Sequence, residues 1–365
     1  MSKSSRGQGE TTRGGHASVT IRDVARRAGV STATVSRAIA NPDRVAKTTR
    51  EAVFTAIAAT GFTPNAAARS LRARSTKMVL ALLPGIGNSF YTPILNAIEE
   101  VLSLAGYGMI MGDTRSDGAR EAHYDLLVRG GQVDGVLLLT GRLPHPDFAR
   151  LNATVPITII CNDIPGLEAL PVIEIENHEA AHALVTYLVE LGHRRIGHAR
   201  GPMDNVESHY RRSGYIAALT EAGIAVDDSI VWQGAFTFDA GVRVARAFLD
   251  HAERPTALFA ANDEMALGFI KTVKDAGLSV PQDVSVAGFD DIEYARYFDP
   301  ALTTMRQPRA ELGRLAAQNL IARMGGQGKT LPQRTRLPCT LIVRDSVRPP
   351  RQVPRARSAT LGVPA

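Results

Sequence analysis

The pattern between residues 20 and 62 constrains the fold more than any other part of this chain. Apolar residues at helical spacing follow Thr20, and Asp23 stands three positions after it, which predicts a capped first helix. Gly29 ends that helix and Ser31 begins a second one, whose inward residues are Val35, Ala38 and Ile39. Two short helices joined by a turn that contains Gly form a helix-turn-helix motif.

A third helix is predicted to begin at the capping box Thr48 to Glu51 and to end at Gly61. An arbitrary three-helix bundle would show the same apolar spacing, so the outer face of the second helix decides between the two. That face is small and hydroxylated apart from one arginine, and we call it the recognition face: Thr32, Ala33, Thr34, Ser36 and Arg37. It fits a DNA major groove, where Arg bonds guanine and Thr or Ala contacts a thymine methyl.

The distribution of charge agrees with a DNA-binding N-terminal region. Residues 1–77 contain 14 Lys and Arg side chains against four acids, a net charge of +10, so the rest of the chain has −4 of the total of +6. A basic head on a mildly acidic body is typical of a nucleic-acid-binding module attached to a sensor.

The stretch VTIRDVARRAGVSTATVSRAIANPDRV, followed by GFTPNAAARSLR, resembles the head of the LacI/GalR (lactose/galactose repressor) family. The resemblance implies that Thr32, Ala33 and Arg37 face base edges. It also implies that Ser31, Thr34 and Ser36 lie near phosphates.

In this family the segment that corresponds to residues 64–74 is a hinge, which becomes a short helix on the operator and inserts a leucine into the minor groove. Leu71 stands at that position, with Asn65, Arg69 and Arg72 as further expected DNA contacts. An exposed Leu among arginines has no core to join, whereas insertion between base steps buries it. An ordinary basic linker is the alternative. Because one head makes a small interface, a homodimer on a palindromic double-stranded operator is expected.

Short apolar runs alternate with helical segments after Lys77, which predicts two doubly wound parallel-sheet lobes covered by helices. This body resembles the periplasmic-binding-protein type of sensor of the same family. Ligands of such folds lie at the carboxyl ends of the strands, here in the cleft between the lobes. The predicted strands are MVLALLP, YGMIMGD, DGVLLLT, PITIICND, PVIEIEN, RRIGHARG, ALFAAND and VSVAGFDD.

Residues at the ends of these strands are the candidates for binding a small-molecule effector. Arg211 and Asp290 match positions where the family places a ligand-binding arginine and carboxylate, and Phe90 and Tyr91 are placed to stack on a ring. Phe90 and Phe236 have a second interpretation as core residues. The remaining candidates are Asn162, Asp163, Phe236 and Asn262.

Several sequence segments, among them VSTATVSRA and GAFTFDAG, resemble the cytidine-repressor branch of the family. That resemblance implies a nucleoside effector with Arg142 near it, although the carboxylates of Glu207 and Asp163 would suit the hydroxyl groups of a sugar equally. Asp263 and Asn177 are predicted to cap helices and are excluded from the site. Glu207 either pairs with Arg211 on one helical face or points into the pocket.

The expected organisation is a disordered tail (1–18), the DNA-binding head (19–63), a hinge (64–76), the two-lobed effector-binding and dimerisation body (77–345) and a disordered basic tail (346–365). No apolar run is long enough to span a membrane, and the polar N-terminus does not resemble a secretory signal, so a cytoplasmic protein is expected. Cys161 and Cys339 are expected to be inert thiols.

Two alternative functions fit the sequence less well. A solute-binding protein of a transport system would share the body, but it would carry a secretory signal and would have no DNA-binding head. An enzyme is not expected, because no phosphate-binding glycine motif or nucleophile elbow is present. No cofactor is expected, and no metal either, because His178 and His182 share a helix face without a third ligand.

Overall fold

The computed structural model describes residues 19–63, 75–115, 117–139, 155–161, 164, 166–328 and 331–351. The chain divides into two compact units, of which the first ends at Arg74 and the second begins at Ser75. Asp134 sets this boundary, since its carboxylate accepts hydrogen bonds from the hydroxyls of Ser75 and Thr76 and from the amides of Thr76 and Lys77. The body therefore starts two residues earlier than predicted.

The head consists of three helices, α1 (Ile21–Ala28), α2 (Thr32–Ala40) and α3 (Lys47–Thr60), with a short 3-10 turn at Pro42–Arg44. Thr20 and Asp23 form the predicted capping box. Gly29 ends α1 in the left-handed conformation, and the Ser31 hydroxyl accepts the amide of Thr34 at 3.1 Å. The buried core of the head comprises Val24, Ala25, Val35, Ala38, Val53 and Ala56.

The predicted start of the third helix was wrong. The residue before α3 is Ala46, which has no capping side chain, and its carbonyl accepts the amide of Arg50 at 2.9 Å. The helix therefore begins before Thr48, and the Thr48–Glu51 sequence lies within it. Its end at Gly61 is confirmed, because Gly61 adopts the left-handed conformation.

The first lobe of the body is a six-stranded parallel sheet with three helices in the described residues. The strands are β1 (Met78–Leu83), β2 (Gly108–Asp113), β3 (Gly135–Leu138), β4 (Ile157–Cys161), β5 (Val172–Ile175) and β11 (Arg334–Leu337); the helices are α4 (Thr92–Leu104), α5 (Gly118–Arg129) and α10 (Arg309–Met324). The strand order is β11-β5-β4-β3-β1-β2. Helix α10 packs on α4 and on the middle of this sheet.

The second lobe repeats this plan with six strands and four helices in the part of the chain that the structure describes. The strands are β6 (Ile196–Arg200), β7 (Val231–Gln233), β8 (Ala257–Ala260), β9 (Ser285–Asp290), β10 (Thr303–Arg306) and β12 (Thr340–Ile342); the helices are α6 (Asn177–Glu190), α7 (Val206–Glu221), α8 (Phe238–Asp250) and α9 (Asp263–Asp275). The strand order is β12-β10-β9-β8-β6-β7, and among these strands β12 is antiparallel to its neighbour while the others are parallel. The helices pack in pairs, α6 on α7 and α8 on α9.

The chain passes between the lobes three times, after β5, after β10 and between β11 and β12. Each lobe is consequently completed by segments from both halves of the body sequence. Because three chain segments connect the lobes, the lobes can change their angle about these segments but cannot separate freely.

All eight predicted strands are present. Strand β2, however, is an edge strand and is only partly buried. Four strands were missed, β7, β10, β11 and β12. Three of them are edge strands, and β11 (sequence RTRL) alternates exposed and half-buried residues, so none has the continuous apolar run of a buried parallel strand.

The expectation of disorder from residue 346 onward was wrong for the part that the structure describes. Ser346 is fully buried, and its hydroxyl donates to the carbonyl of Val286 at 2.6 Å and accepts the amide of Thr303 at 2.8 Å. Val347 is also buried, and the Arg348 amide donates to the Ser285 hydroxyl. These contacts fasten the segment to β9, a long-range pairing that composition does not reveal. Residues 352–365 lie outside the described part, as do residues 1–18.

Both cysteines are free, Cys161 buried and Cys339 half-buried. Burial raises the pKa of the Cys161 thiol, which keeps it protonated at neutral pH, as expected of an inert buried cysteine. Among the described residues, no helix has the length and apolar character that crossing a bilayer requires.

Helices α8 and α9 touch backbone to backbone at Gly241, where an added Cβ would collide with the carbonyl of Met265. We predict that Gly241→Ala forces the two helices apart and lowers the free energy of unfolding by about 1–3 kcal/mol or more. Urea denaturation measures this. Gly325→Ala is the matched control, because its Cβ meets only backbone oxygens at 3.5 Å; equal stability of the two variants would contradict the prediction.

Candidate functional site

The recognition face lies on the outside of α2, as predicted. Thr32, Ala33 and Arg37 are exposed, and Thr34 and Ser36 are half-buried. The hydroxyls of Ser31 and Thr34 are 2.9 Å apart and bond to each other, so Ser31 holds the first turn of the helix. Ile21 and Arg22 at the start of α1 border the same surface, which adds a second arginine that sequence reasoning did not single out.

Several cations of the head have no acidic partner within the described part of the chain. Asp23 lies 3.4 Å from Arg26, and Asp43 lies 3.4 Å from Arg50. The cations that form no ion pair with described residues are Arg22, Arg27, Arg37, Arg44 and Lys47. Such a surface suits a polyanion. The predicted contacts Asn65, Arg69, Leu71 and Arg72 lie outside the described residues.

A cavity of about 480 Å³ lies in the body where the strand ends of both lobes meet, and we call it the cleft. Its size is that of a small-molecule site. The first lobe contributes Pro84, Gly85, Gly87, Asn88, Phe90, Tyr91 and Leu139 to its lining; the second contributes Pro202, Asn205, Glu207, Arg211, Ala235, Phe236, Thr237, Phe238, Asn262, Glu264 and Asp290.

Six of the nine residues predicted to bind the effector line the cleft: Phe90, Tyr91, Arg211, Phe236, Asn262 and Asp290. The rings of Phe90 and Tyr91 meet edge to face, with centroids 5.0 Å apart. The two interpretations of Phe90 are compatible, because it is buried and lines the cavity. Phe236 is half-buried. Arg142, Asn162 and Asp163 lie outside the described residues.

Arg211 is almost completely buried in the wall of the cleft, with 2% of its surface exposed. Its Nε donates to Asn177 Oδ1 at 2.9 Å and its Nη1 to the carbonyl of Ala261 at 2.6 Å. Asp290 Oδ1 lies 3.5 Å from Nη1, and the guanidinium stacks 3.9 Å from the ring centroid of Phe289. The charge of Arg211 is thus compensated on several sides, as burial requires.

The predicted caps Asn177 and Asp263 were both wrong. Asn177 occupies the first turn of α6, but its amide oxygen binds Arg211. Asn262 is the cap of α9, since its Oδ1 accepts the amide of Met265 at 3.1 Å. Asp263 is fully buried and binds the Ile292 amide and the Thr304 hydroxyl, which fastens the segment after β9. These partners are distant in sequence, so local spacing did not reveal them.

Asp290 ends β9 in an unusual backbone conformation, with φ at 120°. Its Oδ1 accepts a 2.7 Å hydrogen bond from Gln307 Nε2. Burial raises the pKa of Asp290 to about 6, against the opposing effect of the Arg211 and Arg309 guanidinium groups. Cys161, Phe236 and Asp291 also have positive φ at the strand ends around the cleft. Strained residues held in place by their surroundings are common at ligand-binding sites.

Two further carboxyl groups line the cleft. Glu207 lies on the cavity wall, near the ion pair of Arg211 with Asp290. Glu264 was missed by sequence reasoning, although it follows the cap of α9 as Glu207 follows the cap of α7. Burial raises the pKa of Glu207 and that of Glu264 to about 7.

His178 and His182 bridge two helices. His178 Nδ1 lies 2.8 Å from the Ser213 hydroxyl, and His182 Nε2 lies 2.9 Å from Glu221 Oε2, so both connect α6 to α7. Within the described ranges there is no group of three His, Cys, Asp or Glu side chains arranged to hold a metal ion.

Two family models match the chain. One, described as bacterial regulatory proteins of the lacI family, matches residues 20–65, which include the head. The other, described as a periplasmic binding protein-like domain, matches residues 185–347.

Named relatives align over nearly the whole chain. The HTH-type transcriptional repressor CytR of Escherichia coli (strain K12) is 40% identical over 330 residues, which cover 90% of this chain and 96% of CytR. The HTH-type transcriptional repressor PurR of Escherichia coli O1:K1 / APEC is 36% identical over the same shares.

Solved structures agree with these relatives. The lac repressor dimer bound to operator and the anti-inducer ONPF has a TM-score of 0.79 at 28% identity, covering 91% of this chain and 99% of that one. The complex of the transcriptional regulator CelR with cellobiose has a TM-score of 0.70 at 34% identity, covering 90% and 100%. With its helix-turn-helix head and two parallel-sheet lobes, this chain belongs to the LacI family of bacterial regulatory proteins, in the cytidine-repressor branch.

Proposed function

We propose that this protein is a sequence-specific transcriptional repressor that binds a palindromic operator as a homodimer and whose operator affinity a small-molecule effector controls. The observation that carries the proposal is that one chain joins an exposed, basic helix-turn-helix face to a ligand-sized cleft lined by a buried arginine. The named relatives are transcriptional repressors, which fits a chain that is not an enzyme. Its DNA target assigns it to the cytoplasm.

On the operator, Thr32, Ala33 and Arg37 contact base edges in the major groove. Ser31, Thr34 and Ser36 lie near phosphates, and Ser31 also orders the first turn of α2, whose amide groups face the DNA backbone. In the segment after the head, Leu71 inserts between base steps, and Asn65, Arg69 and Arg72 bind around it. Both heads of the dimer are needed, because one head covers a small area.

In the cleft the effector is a nucleoside or a sugar, and the likeness to CytR favours a nucleoside. Phe90, Tyr91 and Phe236 offer aromatic surface to a base or sugar ring, and Arg211 and Asp290 offer a fixed charged edge. Arg142, Asn162, Asp163 and Asn262 complete the proposed set. A solute-binding protein would share this cleft, but it has no use for a DNA-binding head.

The segments that cross between the lobes couple ligand binding in the cleft to the DNA-binding head. Arg309, which follows the second crossing, donates from Nη2 to the carbonyl of Asp291 at 2.7 Å and from Nη1 to the carbonyl of Phe90 at 3.4 Å. It therefore ties a cleft residue of one lobe to a strand end of the other. A ligand changes operator affinity only by binding one inter-lobe angle better than another.

We predict that the full-length chain binds a palindromic operator more tightly than a scrambled duplex, and that affinity falls steeply between about 50 and 200 mM salt. Arg37→Ala should cost about 1–3 kcal/mol on the operator alone, because a base contact is lost. Fluorescence anisotropy measures both effects. Arg120→Ala, an exposed arginine of the body, is the control. Equal affinity for the two duplexes would refute sequence-specific binding.

Leu71→Ala should weaken operator binding about tenfold or more, because the apolar wedge that holds the minor groove open is lost. Ligand affinity, measured by isothermal titration calorimetry, should not change. Unaltered operator affinity would show that residues 64–74 act as an ordinary linker.

Arg211→Ala should abolish the ligand response of operator binding and leave operator affinity without ligand intact, since its contacts with described residues lie in the body. Ligand-dependent release or tightening on the operator is the readout. Arg212→Ala is the control, because the neighbouring Arg212 pairs with Asp228 at the surface. A normal response in Arg211→Ala would remove Arg211 from the site.

A further inference from the structure

A second cavity, of about 430 Å³, lies beside the second crossing between the lobes, and we call it the crossing pocket. The first lobe contributes Pro93 of α4 and the first two turns of α10, and the second lobe contributes Asp291 and Arg306. None of its described lining residues also lines the cleft. Its volume is in the range of small-molecule sites.

Three arginines line the crossing pocket, Arg306 from β10 and Arg309 and Arg314 from α10. Arg309 forms no ion pair with a described residue. Its Nη2 donates to the carbonyl of Asp291 and its Nη1 to that of Phe90. Carbonyl oxygens satisfy hydrogen bonds of a guanidinium group but do not cancel its charge.

The carboxylates of the crossing pocket are those of Asp291 and Glu311. Asp291 is shared by two arginines, with Arg306 Nε at 2.7 Å and Arg344 Nη2 at 2.6 Å, and Glu311 pairs with Arg314. Together with the arginine that forms no ion pair, four guanidinium groups therefore share two carboxylates. Among the described residues the cluster keeps two positive charges, which suits a dianion such as a phosphate group.

Helix α10 begins at this pocket without a capping side chain, because the residue before it is Pro308. The amides of Ala310 and Glu311 have no acceptor among the described residues, and free amides at a helix start favour an anion. A second observation also indicates a ligand. Gln307 lines the pocket with 3% of its surface exposed, and its Oε1 is buried without a hydrogen-bond partner in the described part of the chain. A hydroxyl group of a ligand would supply the missing donor.

Two side chains connect the crossing pocket with the cleft. Gln307 donates from Nε2 to Asp290 Oδ1 at 2.7 Å, and Arg309 reaches the carbonyl of Phe90 at 3.4 Å. Asp290 itself pairs with Arg211, so it does not compensate the charge of Arg309. A ligand of the crossing pocket therefore contacts side chains that also hold the wall of the cleft.

We propose that the crossing pocket is a second ligand site, which binds the phosphate group of a small molecule and ties the two lobes together. The phosphate oxygens accept charge-assisted hydrogen bonds from Arg306 of the second lobe and from Arg309 and Arg314 of the first. Because the donors come from both lobes, the site is complete at one angle between them, and binding stabilises that angle. The site is independent of which effector occupies the cleft.

The test compares the full-length chain with Arg306→Gln/Arg314→Gln. Arg243→Gln/Arg246→Gln removes the same charge from exposed positions of α8 and is the matched control. Inorganic phosphate and glycerol 3-phosphate are titrated by calorimetry at constant ionic strength, without DNA or effector, and the melting temperature is recorded with and without each ligand.

A variant of opposite sign is Glu311→Gln, which removes a carboxylate that competes with the ligand for the arginines and for the start of α10. Glu190→Gln, at an exposed position outside both cavities, is its control.

We expect affinity for phosphate or its ester to fall about tenfold or more in Arg306→Gln/Arg314→Gln and to be unchanged in the α8 control. In Glu311→Gln it should rise about two- to fivefold. The ligand should raise the melting temperature of the wild type more than that of the arginine variant. Binding of either ligand supports the proposal, and tighter binding of the ester shows that the cavity also holds the organic part.

The proposal is overturned if wild type, arginine variant and α8 control bind phosphate and its ester equally, which is the behaviour of a counter-ion at the basic head. An unchanged or lower affinity in Glu311→Gln also overturns it, and this variant decides alone if the arginine variant does not fold. Since operator and effector are absent from the titration, failure of the proposed function would leave the result unaffected.

Discussion

The arrangement of the cleft depends on one buried charge, the guanidinium of Arg211. A buried charge is tolerated only when it is paired and hydrogen-bonded, and removing one partner costs about 3–5 kcal/mol. The partners of Arg211 come from the start of α6, the end of β8 and the end of β9. Satisfying this one side chain thus fixes α7 against three other elements of the lobe and brings Glu207 and Asp290 to the same wall.

In the proposed switch, the cleft and the segments that cross between the lobes share neighbouring residues. Asp290 is in the cleft, and Asp291, the next residue, accepts bonds from Arg344 and Arg306, while its carbonyl binds Arg309. Asp263, buried behind them, fastens Ile292 and Thr304. Under the proposed function, a ligand that shifts Asp290 would act on the segments where the chain crosses from lobe to lobe, and two discrete arrangements of these contacts would suffice for a switch.

Features governed by neighbours in sequence were predictable. The Thr20–Asp23 capping box, the Gly29 turn and the Ser31 cap follow from spacing alone, and eight of the strands follow from their apolar runs. That six candidate residues line one cavity also followed, because the carboxyl ends of parallel strands, with the loops and helix starts that follow them, meet at one edge of a sheet.

Features governed by distant partners were not predictable. Asn177 is of a residue type that often caps helices and stands close to a helix start, yet its amide oxygen binds an arginine 34 residues away. Asp263 likewise binds a hydroxyl 41 residues away. The polar strand β11 is recognisable only beside β5, and Ser346 only beside β9. Glu207 and Glu264 each stand two residues after an asparagine cap, which is visible in the sequence, but only the structure shows that both line one cavity.

The central claim is that occupancy of the cleft and binding of the operator are two linked equilibria of one molecule. The most direct measurement is the pair of affinity ratios: operator affinity with and without saturating ligand, and ligand affinity with and without saturating operator. The account predicts that the two ratios are equal and differ from one by about 5- to 150-fold, as thermodynamic linkage requires. A ligand that occupies the cleft while both ratios remain at one would contradict it.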